Sequence, residues 1–259
     1  MPWTYEHFLT LPITVTIFIF FATWLGDKLQ TSSEKYRLIP IHIISAILII
    51  LEIIKQVYSI YIGYNLHHIP LHFCSLFVFL FPAFSVCKGK SKRTVRLINT
   101  LAGLMMMAIM AIMPNIVYNN TDINTFFTDF LSFHTVFFHN LVILGILLIF
   151  TLDLYEKPRH GDYKVVISSF VIYSIIAATL ALLLNTNFNN FCRCGVEFVD
   201  IYVRQSLINV LGYFGQILYT MCVGLTTTSF GVLLYFIYVK ILAWYEKYKW
   251  QKYKYVSIG

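Results

Sequence analysis

The residues of this sequence that could do chemistry are a few polar side chains set among long apolar runs. Histidine, cysteine and serine come together in His67-His68-Ile69-Pro70-Leu71-His72-Phe73-Cys74-Ser75, and two more histidines follow at His134 and His139. A histidine beside a thiol or hydroxyl is the combination used in nucleophilic acyl transfer, because the imidazole takes the proton from the attacking group. The pattern therefore makes acyl transfer one candidate chemistry.

The first histidine cluster contains a signal for the start of a helix. Proline is favoured in the first turn, where its missing N–H is no loss, so a helix is predicted to begin near Pro70. That start places His72, Cys74 and Ser75 in the first turns. The free N–H groups there favour a thiolate or an oxyanion.

Two charged residues lie inside an apolar run upstream. Glu52 and Lys55 are three residues apart, on one face of a helix, and can pair. Ionisable groups at the centre of a membrane span cost about 2.5–3.5 kcal/mol each, so they need a reason. One hypothesis is an ion pair that holds helices together, and the other is that they orient a polar headgroup or a catalytic histidine.

An asparagine cluster follows a later apolar run. It has four members in six residues: Asn185, Asn187, Asn189 and Asn190. A helix cap explains one of them, and the others need protein partners or a ligand. Asparagine amides could hold an oxyanion in acyl transfer.

Two other chemistries compete with acyl transfer. A polar cavity for transport or ligand binding, without covalent chemistry, is the stronger rival. Metal binding is the weaker one, because only His68 and His72 have i, i+4 spacing and Pro70 lies between them. The histidines that could bind a metal ion are His67, His68, His72, His134 and His139.

The composition shows what must position these groups. Of 259 residues, 58% are hydrophobic and only 12% are charged, against about 25% charged in a soluble domain. This excludes a cytosolic enzyme, a disordered chain and a disulfide-rich secreted domain, and it predicts an all-α polytopic membrane protein. The expected single domain, 1–259, has seven spans at about 8–26, 39–62, 69–86, 97–116, 130–152, 165–184 and 215–243, the last preceded by an interfacial piece from about 207.

The distribution of basic residues predicts sidedness. All but three of the 19 Lys and Arg residues fall in the first, third and fifth loops and the C-terminal tail. By the positive-inside rule, the N-terminus is outside and the C-terminus is cytoplasmic. The net charge of +7 is then a topology signal, and no nucleic-acid partner is expected. The tail from Trp244 to Tyr255 alternates aromatic and basic residues, which suits an interfacial anchor or contact with anionic inner-leaflet lipid.

This topology gathers the polar residues. His72, His134, Lys55 and the asparagine cluster all fall at the outer ends of four different spans. We therefore expect one polar site near the outer boundary of the membrane, with His68 and His139 as further candidates for substrate binding.

The same residues carry a family resemblance. The segments Glu52-Ile-Ile-Lys55, Ile69-Pro70-Leu71-His72-Phe73-Cys74, His134 and the asparagine-rich exit resemble the bacterial YwaF group, which is related to the vertebrate transmembrane-protein-164 acyltransferases. The resemblance runs in the same order from about residue 40 to 235. It implies transfer of fatty acyl chains between glycerophospholipids through an acyl-cysteine. No metal or other cofactor is expected, since an acyl ester already supplies the group to be transferred.

The resemblance carries over to some residues and not to others. His134 matches the family histidine, and Pro70 and His72 match its Pro-x-His frame. Where vertebrate members have the nucleophilic cysteine, this sequence has Leu71. The hypothesis is that Cys74 replaces it, with Ser75 second, one turn deeper on the helix face of Leu71.

The sequence thus predicts a seven-helix lipid acyltransferase, or a related lipid hydrolase, in a bacterial cell membrane, with phospholipid or lysophospholipid as substrate. His134 would be the base for Cys74, with the Glu52–Lys55 pair behind it. The rival hypothesis is a transporter or small-molecule-binding membrane protein.

Overall fold

A computed structural model describes residues 3–256 of the chain, with side chains throughout that range except at 245, 246 and 248–256. All regular secondary structure in this range is helical. Short helical turns connect seven longer helices and lie mostly in the loops. The seven are α1 Tyr5–Leu29, α2 Ile39–Tyr61, α3 Phe77–Val86, α4 Gly89–Ile112, α5 Phe130–Thr151, α6 Asp162–Leu183 and α7 Tyr213–Val256.

Six of these helices, all but α3, are long and apolar enough to cross a membrane. For α2 this stretch includes the short helix directly before it and runs from Glu34 to Tyr61. The prediction of an all-helical integral membrane protein is therefore confirmed. The predicted third span, 69–86, differs from the others, because its apolar helix covers only Cys74–Val86.

The start of that helix corrects the sequence prediction. The α-helix does not begin near Pro70 but at Phe77, after a 3-10 turn at Cys74–Leu76. The backbone before this turn is bonded to a distant loop instead: the N–H of Phe73 donates to Asn189 Oδ1 over 2.6 Å, and the Leu71 carbonyl accepts from Asn189 Nδ2 over 3.0 Å. These tertiary bonds satisfy groups that a helix would otherwise pair.

The last predicted span also differs in detail. Helix α7 runs from Tyr213 to Val256, longer than predicted. The preceding piece is helical over Glu197–Val199, Asp200–Gln205 and Ser206–Leu211 and is separated from α7 at Gly212, whose φ of 57° suits glycine. Contact of the tail, Trp244 to Tyr255, with lipid was also predicted, and most of the side chains in that segment lie outside the part that the structure describes.

Ion pairs join the helices at one end of the bundle, which we call the basic end (residues 29–38, 87–96 and 152–164). Glu34 accepts from both Lys92 and Arg96 at 2.6 Å. Arg93 forms two hydrogen bonds with Asp162. These contacts tie the start of α2 to α4, and α4 to the start of α6.

The opposite end, which we call the cavity end (residues 3–7, 55–76, 111–134 and 184–220), is joined by uncharged bonds. His7 Nε2 lies 2.8 Å from the Tyr118 carbonyl oxygen, and Gln56 Nε2 donates to the His68 carbonyl over 2.7 Å. Thr220 Oγ1 donates to the Phe191 carbonyl over 2.9 Å. Each of the loops after α2, α4 and α6 is therefore bonded to a helix at this end.

Close packing of α4 against α5 supports one side of the bundle. An added Cβ at Gly103 would lie 2.0 Å from Ile146 Cδ1 and 2.3 Å from its Cγ1. Ile146 is fully buried, so it has little room to move. The glycine lets the two helices approach closely.

We expect Gly103→Ala to destabilise the protein by about 1–3 kcal/mol, because overpacking forces a shift of α4 or α5. Gly224→Ala is the matched control: it is also a helix glycine, but its Cβ would come no closer than 3.4 Å to Ser174. Unfolding of the purified variants in detergent measures both. Equal stability of the two variants would contradict the packing argument.

Candidate active site

A cavity of about 510 Å³ opens at the cavity end of the bundle. Its walls come from α2, α4, α5, α6 and α7, the residues before α3 and the loops after α4 and α6. Most of the predicted site residues line it. They are Lys55, His68, His72, Cys74, Ser75, His134, His139, Asn187, Asn189 and Asn190.

The charged pair of α2 lies at the wall of this cavity. Lys55 Nζ is 2.7 Å from Glu52 Oε1, and the two side chains are only 11% and 8% exposed. Glu52 Oε2 is buried without a hydrogen bond and lies 3.7 Å from His134 Nε2, which is also unbonded. The pair therefore links a cavity-lining ammonium to the imidazole of α5.

Gln56 extends this group, and sequence analysis missed it. Its Nε2 donates to Glu52 Oε1 and to the His68 carbonyl, each over 2.7 Å, and its Oε1 accepts from Tyr64 Oη over 2.7 Å. A polar residue one turn after Glu52 in an apolar helix was the available signal. Gln56 connects the ion pair to the loop that carries His68.

Four of the histidines that line the cavity have a buried ring nitrogen without a partner. Nε2 of His72, of His134 and of His139, and Nδ1 of His68, are buried and have no hydrogen-bond partner among the described residues. His134 stacks on Phe138, with ring centroids 5.4 Å apart. Buried polar atoms are normally bonded in proteins, so four such atoms around one cavity indicate a place for a polar ligand.

A further histidine, His67, packs on His72 with ring centroids 4.3 Å apart. Burial, followed by the nearby charges of His68 and Lys55, lowers the pKa of His67. At neutral pH the ring is therefore uncharged. His67 is also one of the residues that line the cavity.

The two candidate nucleophiles are adjacent in the 3-10 turn that precedes α3. Ser75 N donates to the His72 carbonyl over 2.9 Å, and Cys74 is a free thiol. Because no helix contains Leu71, the predicted shared helix face of Leu71, Cys74 and Ser75 is wrong. The described contacts include no hydrogen bond from Cys74 or Ser75 to His134.

The asparagine cluster mainly shapes the loop after α6. Asn185, Asn189 and Asn190 have φ of 48°, 50° and 65°, a left-handed conformation that asparagine tolerates better than most residues. Asn187 Oδ1 accepts from the N–H groups of Cys192 and Arg193 at 3.1 and 2.9 Å. Protein contacts thus account for much of the cluster.

Its members differ in their relation to the cavity. Asn185 is exposed and lies outside the cavity lining. Asn189 fastens the residues before α3, helped by Tyr173, whose hydroxyl donates to the Leu71 carbonyl over 3.2 Å. A role for Asn187, Asn189 and Asn190 in substrate binding stays a prediction.

Comparison with known proteins decides the family. The sequence model of the TMEM164 family matches residues 2–234, most of the chain. This protein belongs to the TMEM164 family. No curated protein and no solved structure matches the chain.

The TMEM164-family match covers every residue of the cavity described above. Within residues 3–256, no three histidine, cysteine, aspartate or glutamate side chains are grouped so as to hold a metal ion. The polar groups among the cavity-lining side chains of this family member are imidazoles, hydroxyls, amides, a thiol and an ammonium.

Proposed function

We propose that this protein is an integral membrane acyltransferase that moves a fatty acyl chain between glycerolipids through Cys74, with Ser75 as second candidate. The observation that carries the proposal is that Cys74, Ser75, His134 and His139 all line one cavity. A nucleophile and imidazole bases around a shared space are what acyl transfer needs. A lipid hydrolase would use the same groups with water as acceptor.

The proposed topology has seven crossings, with the N-terminus outside and the C-terminus in the cytoplasm. Contacts of α2 and α4 support it. Lys55, near the end of α2, lines the cavity, whereas Arg93, near the start of α4, bonds Asp162 at the basic end. In this proposal residues 62–88 run from one end to the other as the seventh crossing, and by the positive-inside rule the basic end is cytoplasmic.

In the first half-reaction, His134 acts as general base on Cys74. A carboxylate at Glu52 Oε2 favours the His134 tautomer with its proton on Nε2, which leaves Nδ1 as the basic nitrogen. The thiol proton passes to this nitrogen and the sulfur attacks the ester carbonyl carbon. The new C–S bond forms, the ester C–O bond breaks, and the imidazolium returns its proton to the departing glycerol oxygen.

Lys55 supplies positive charge to the same cavity. Its ammonium is shared with Glu52 on one side and lines the cavity on the other. A phospholipid phosphate or a developing oxyanion would be stabilised by that charge. In the second half-reaction the acyl chain leaves the sulfur for a lysolipid hydroxyl.

The setting proposed for this chemistry is a bacterial cell membrane, with phospholipid and lysophospholipid as substrates. The six long apolar helices support a lipid substrate, because a membrane-embedded cavity can receive it directly from the bilayer. No cofactor enters the proposal, since an acyl ester already carries the group to be transferred.

A second candidate function is a transporter or small-molecule-binding protein without covalent chemistry. The observation that favours it is the contact of His134, which lies near Glu52 and makes no hydrogen bond to Cys74 or Ser75 among the described residues. Under this alternative, Glu52 and Lys55 bind the transported molecule.

The experiment that separates the two candidates is intact-mass analysis after incubation with vesicles of phosphatidylcholine and phosphatidylethanolamine carrying isotope-labelled acyl chains. We expect one labelled acyl chain per protein, lost in Cys74→Ala or, if serine reacts, only in the double variant Cys74→Ala/Ser75→Ala. Cys222→Ala, which removes an exposed thiol on α7, should keep the adduct. A wild type without an adduct under turnover, or an adduct that survives in the double variant, would refute the proposal.

A further inference from the structure

His139 is a cavity histidine whose protonation pattern is set by a bond to the backbone of its own helix. Its Nδ1 lies 2.6 Å from the carbonyl oxygen of Thr135, one turn earlier in α5. A carbonyl oxygen can only accept, so Nδ1 carries the hydrogen. In the neutral ring, Nε2 is then a bare acceptor.

That acceptor nitrogen is buried and has no partner within the described part of the chain. The ring lines the cavity and is held by its neighbours: its centroid lies 5.8 Å from Phe138 and 6.1 Å from Tyr118. A buried acceptor without a donor is unfavourable. A ligand in the cavity that this ring lines could satisfy His139 Nε2 only by bringing an O–H or N–H donor to it.

We propose that His139 Nε2 binds and deprotonates the hydroxyl group of the acyl acceptor, a lysoglycerolipid. This inference rests on the proposed acyltransferase function and assigns a second base to it. His139 is then a catalytic residue for the second half-reaction, whereas His134 serves the first. The two residues are separated by about 140° around α5, so their rings approach the cavity from different directions.

The step balances without an added co-reactant. The acceptor O–H gives its proton to His139 Nε2, and its oxygen attacks the thioester carbonyl carbon on Cys74. A C–O bond forms and the C–S bond breaks. The proton then passes from the imidazolium to the released sulfur, which regenerates the thiol and the neutral ring.

The test separates the two half-reactions. Acyl-enzyme formed from labelled phosphatidylcholine is freed of excess donor and chased with lysophosphatidylethanolamine, and the labelled protein is followed by mass. For His139→Gln we expect normal acylation but a discharge slowed by about 10²–10⁴-fold, the contribution of a general base. Released diacyl lipid and free fatty acid are measured separately, which distinguishes a lysolipid hydroxyl from water as the acceptor.

The chain offers a matched control. His42 makes the same bond, from Nδ1 to the Leu38 carbonyl at 2.8 Å, but its side chain is exposed on α2 and outside the cavity lining. His42→Gln should discharge at the wild-type rate. Hydroxylamine attacks a thioester without a base, so it should discharge the His139→Gln acyl-enzyme as fast as the wild type.

The outcomes distinguish the two proposals. If His139→Gln discharges to the lysolipid at the wild-type rate, His139 is not the base and only this inference fails. If hydroxylamine also discharges the His139→Gln acyl-enzyme slowly, that substitution has distorted the site. The variant His139→Asn then replaces it in the test, and discharge of its acyl group to the lysolipid at the wild-type rate would overturn the inference. If the wild type forms no acyl-enzyme, the proposed function fails, and this inference fails with it.

Discussion

Replacing His134 with glutamine should slow acylation of the protein by about 10²–10⁴-fold, the contribution expected of a general base. The side chain is buried at the cavity wall, with its Nε2 3.7 Å from Glu52 Oε2. Glutamine fills much of the same space but cannot take the thiol proton. The rate of adduct formation from labelled phosphatidylcholine, followed by intact mass, measures the effect.

Two further variants make this prediction specific. Glu52→Gln should reduce acylation less than His134→Gln, because it removes the orienting carboxylate and leaves the base. His160→Gln replaces an exposed histidine in the loop between α5 and α6 and should have no effect. An acylation rate in His134→Gln equal to that of His160→Gln would remove His134 from the mechanism.

The second large effect concerns stability. Lys55→Met should destabilise the protein by about 3–5 kcal/mol, because it leaves the carboxylate of Glu52 buried without its ion-pair partner. The side chains of Lys55 and Glu52 are 11% and 8% exposed, and their charged atoms lie 2.7 Å apart. Equilibrium unfolding of the detergent-solubilised protein measures the loss.

The double variant Glu52→Gln/Lys55→Met should recover much of this loss, since it removes both charges together. The matched control is Lys92→Met, which breaks a pair with Glu34 of similar length, 2.6 Å, but with side chains 33% and 40% exposed. That change should cost about 0–1 kcal/mol. The explanation by burial of the pair would be wrong if the double variant were as unstable as Lys55→Met. It would also be wrong if Lys92→Met lowered the free energy of unfolding as much as Lys55→Met does.

The residue types of the asparagine cluster did not reveal its structural role. Four asparagines after an apolar run looked like ligands for a headgroup or oxyanion. Three of them adopt left-handed backbone, and Asn187 bonds two N–H groups of its own loop. Local conformation depends on how the chain turns between distant helices, which residue spacing does not reveal.

The start of α3 was misplaced for a related reason. Pro70 predicted a helix start, and in isolation that expectation follows from proline geometry. In the folded protein, Asn189 and Tyr173 bond the backbone of Leu71 and Phe73, more than a hundred positions earlier in sequence. Bonds of that range compete with the local helix and move its start to Phe77.

Composition, span length and the placement of charge were enough to predict an all-helical membrane protein with polar groups at one end, because the bilayer imposes these properties on each segment separately. The ion pair between Glu52 and Lys55 could likewise be predicted from their spacing, because both residues belong to one helix. The neighbours of His134, the orientation of His139 and the role of Gln56 were settled by folding. Each depends on how separate helices and loops pack together, and that geometry is a property of the whole bundle.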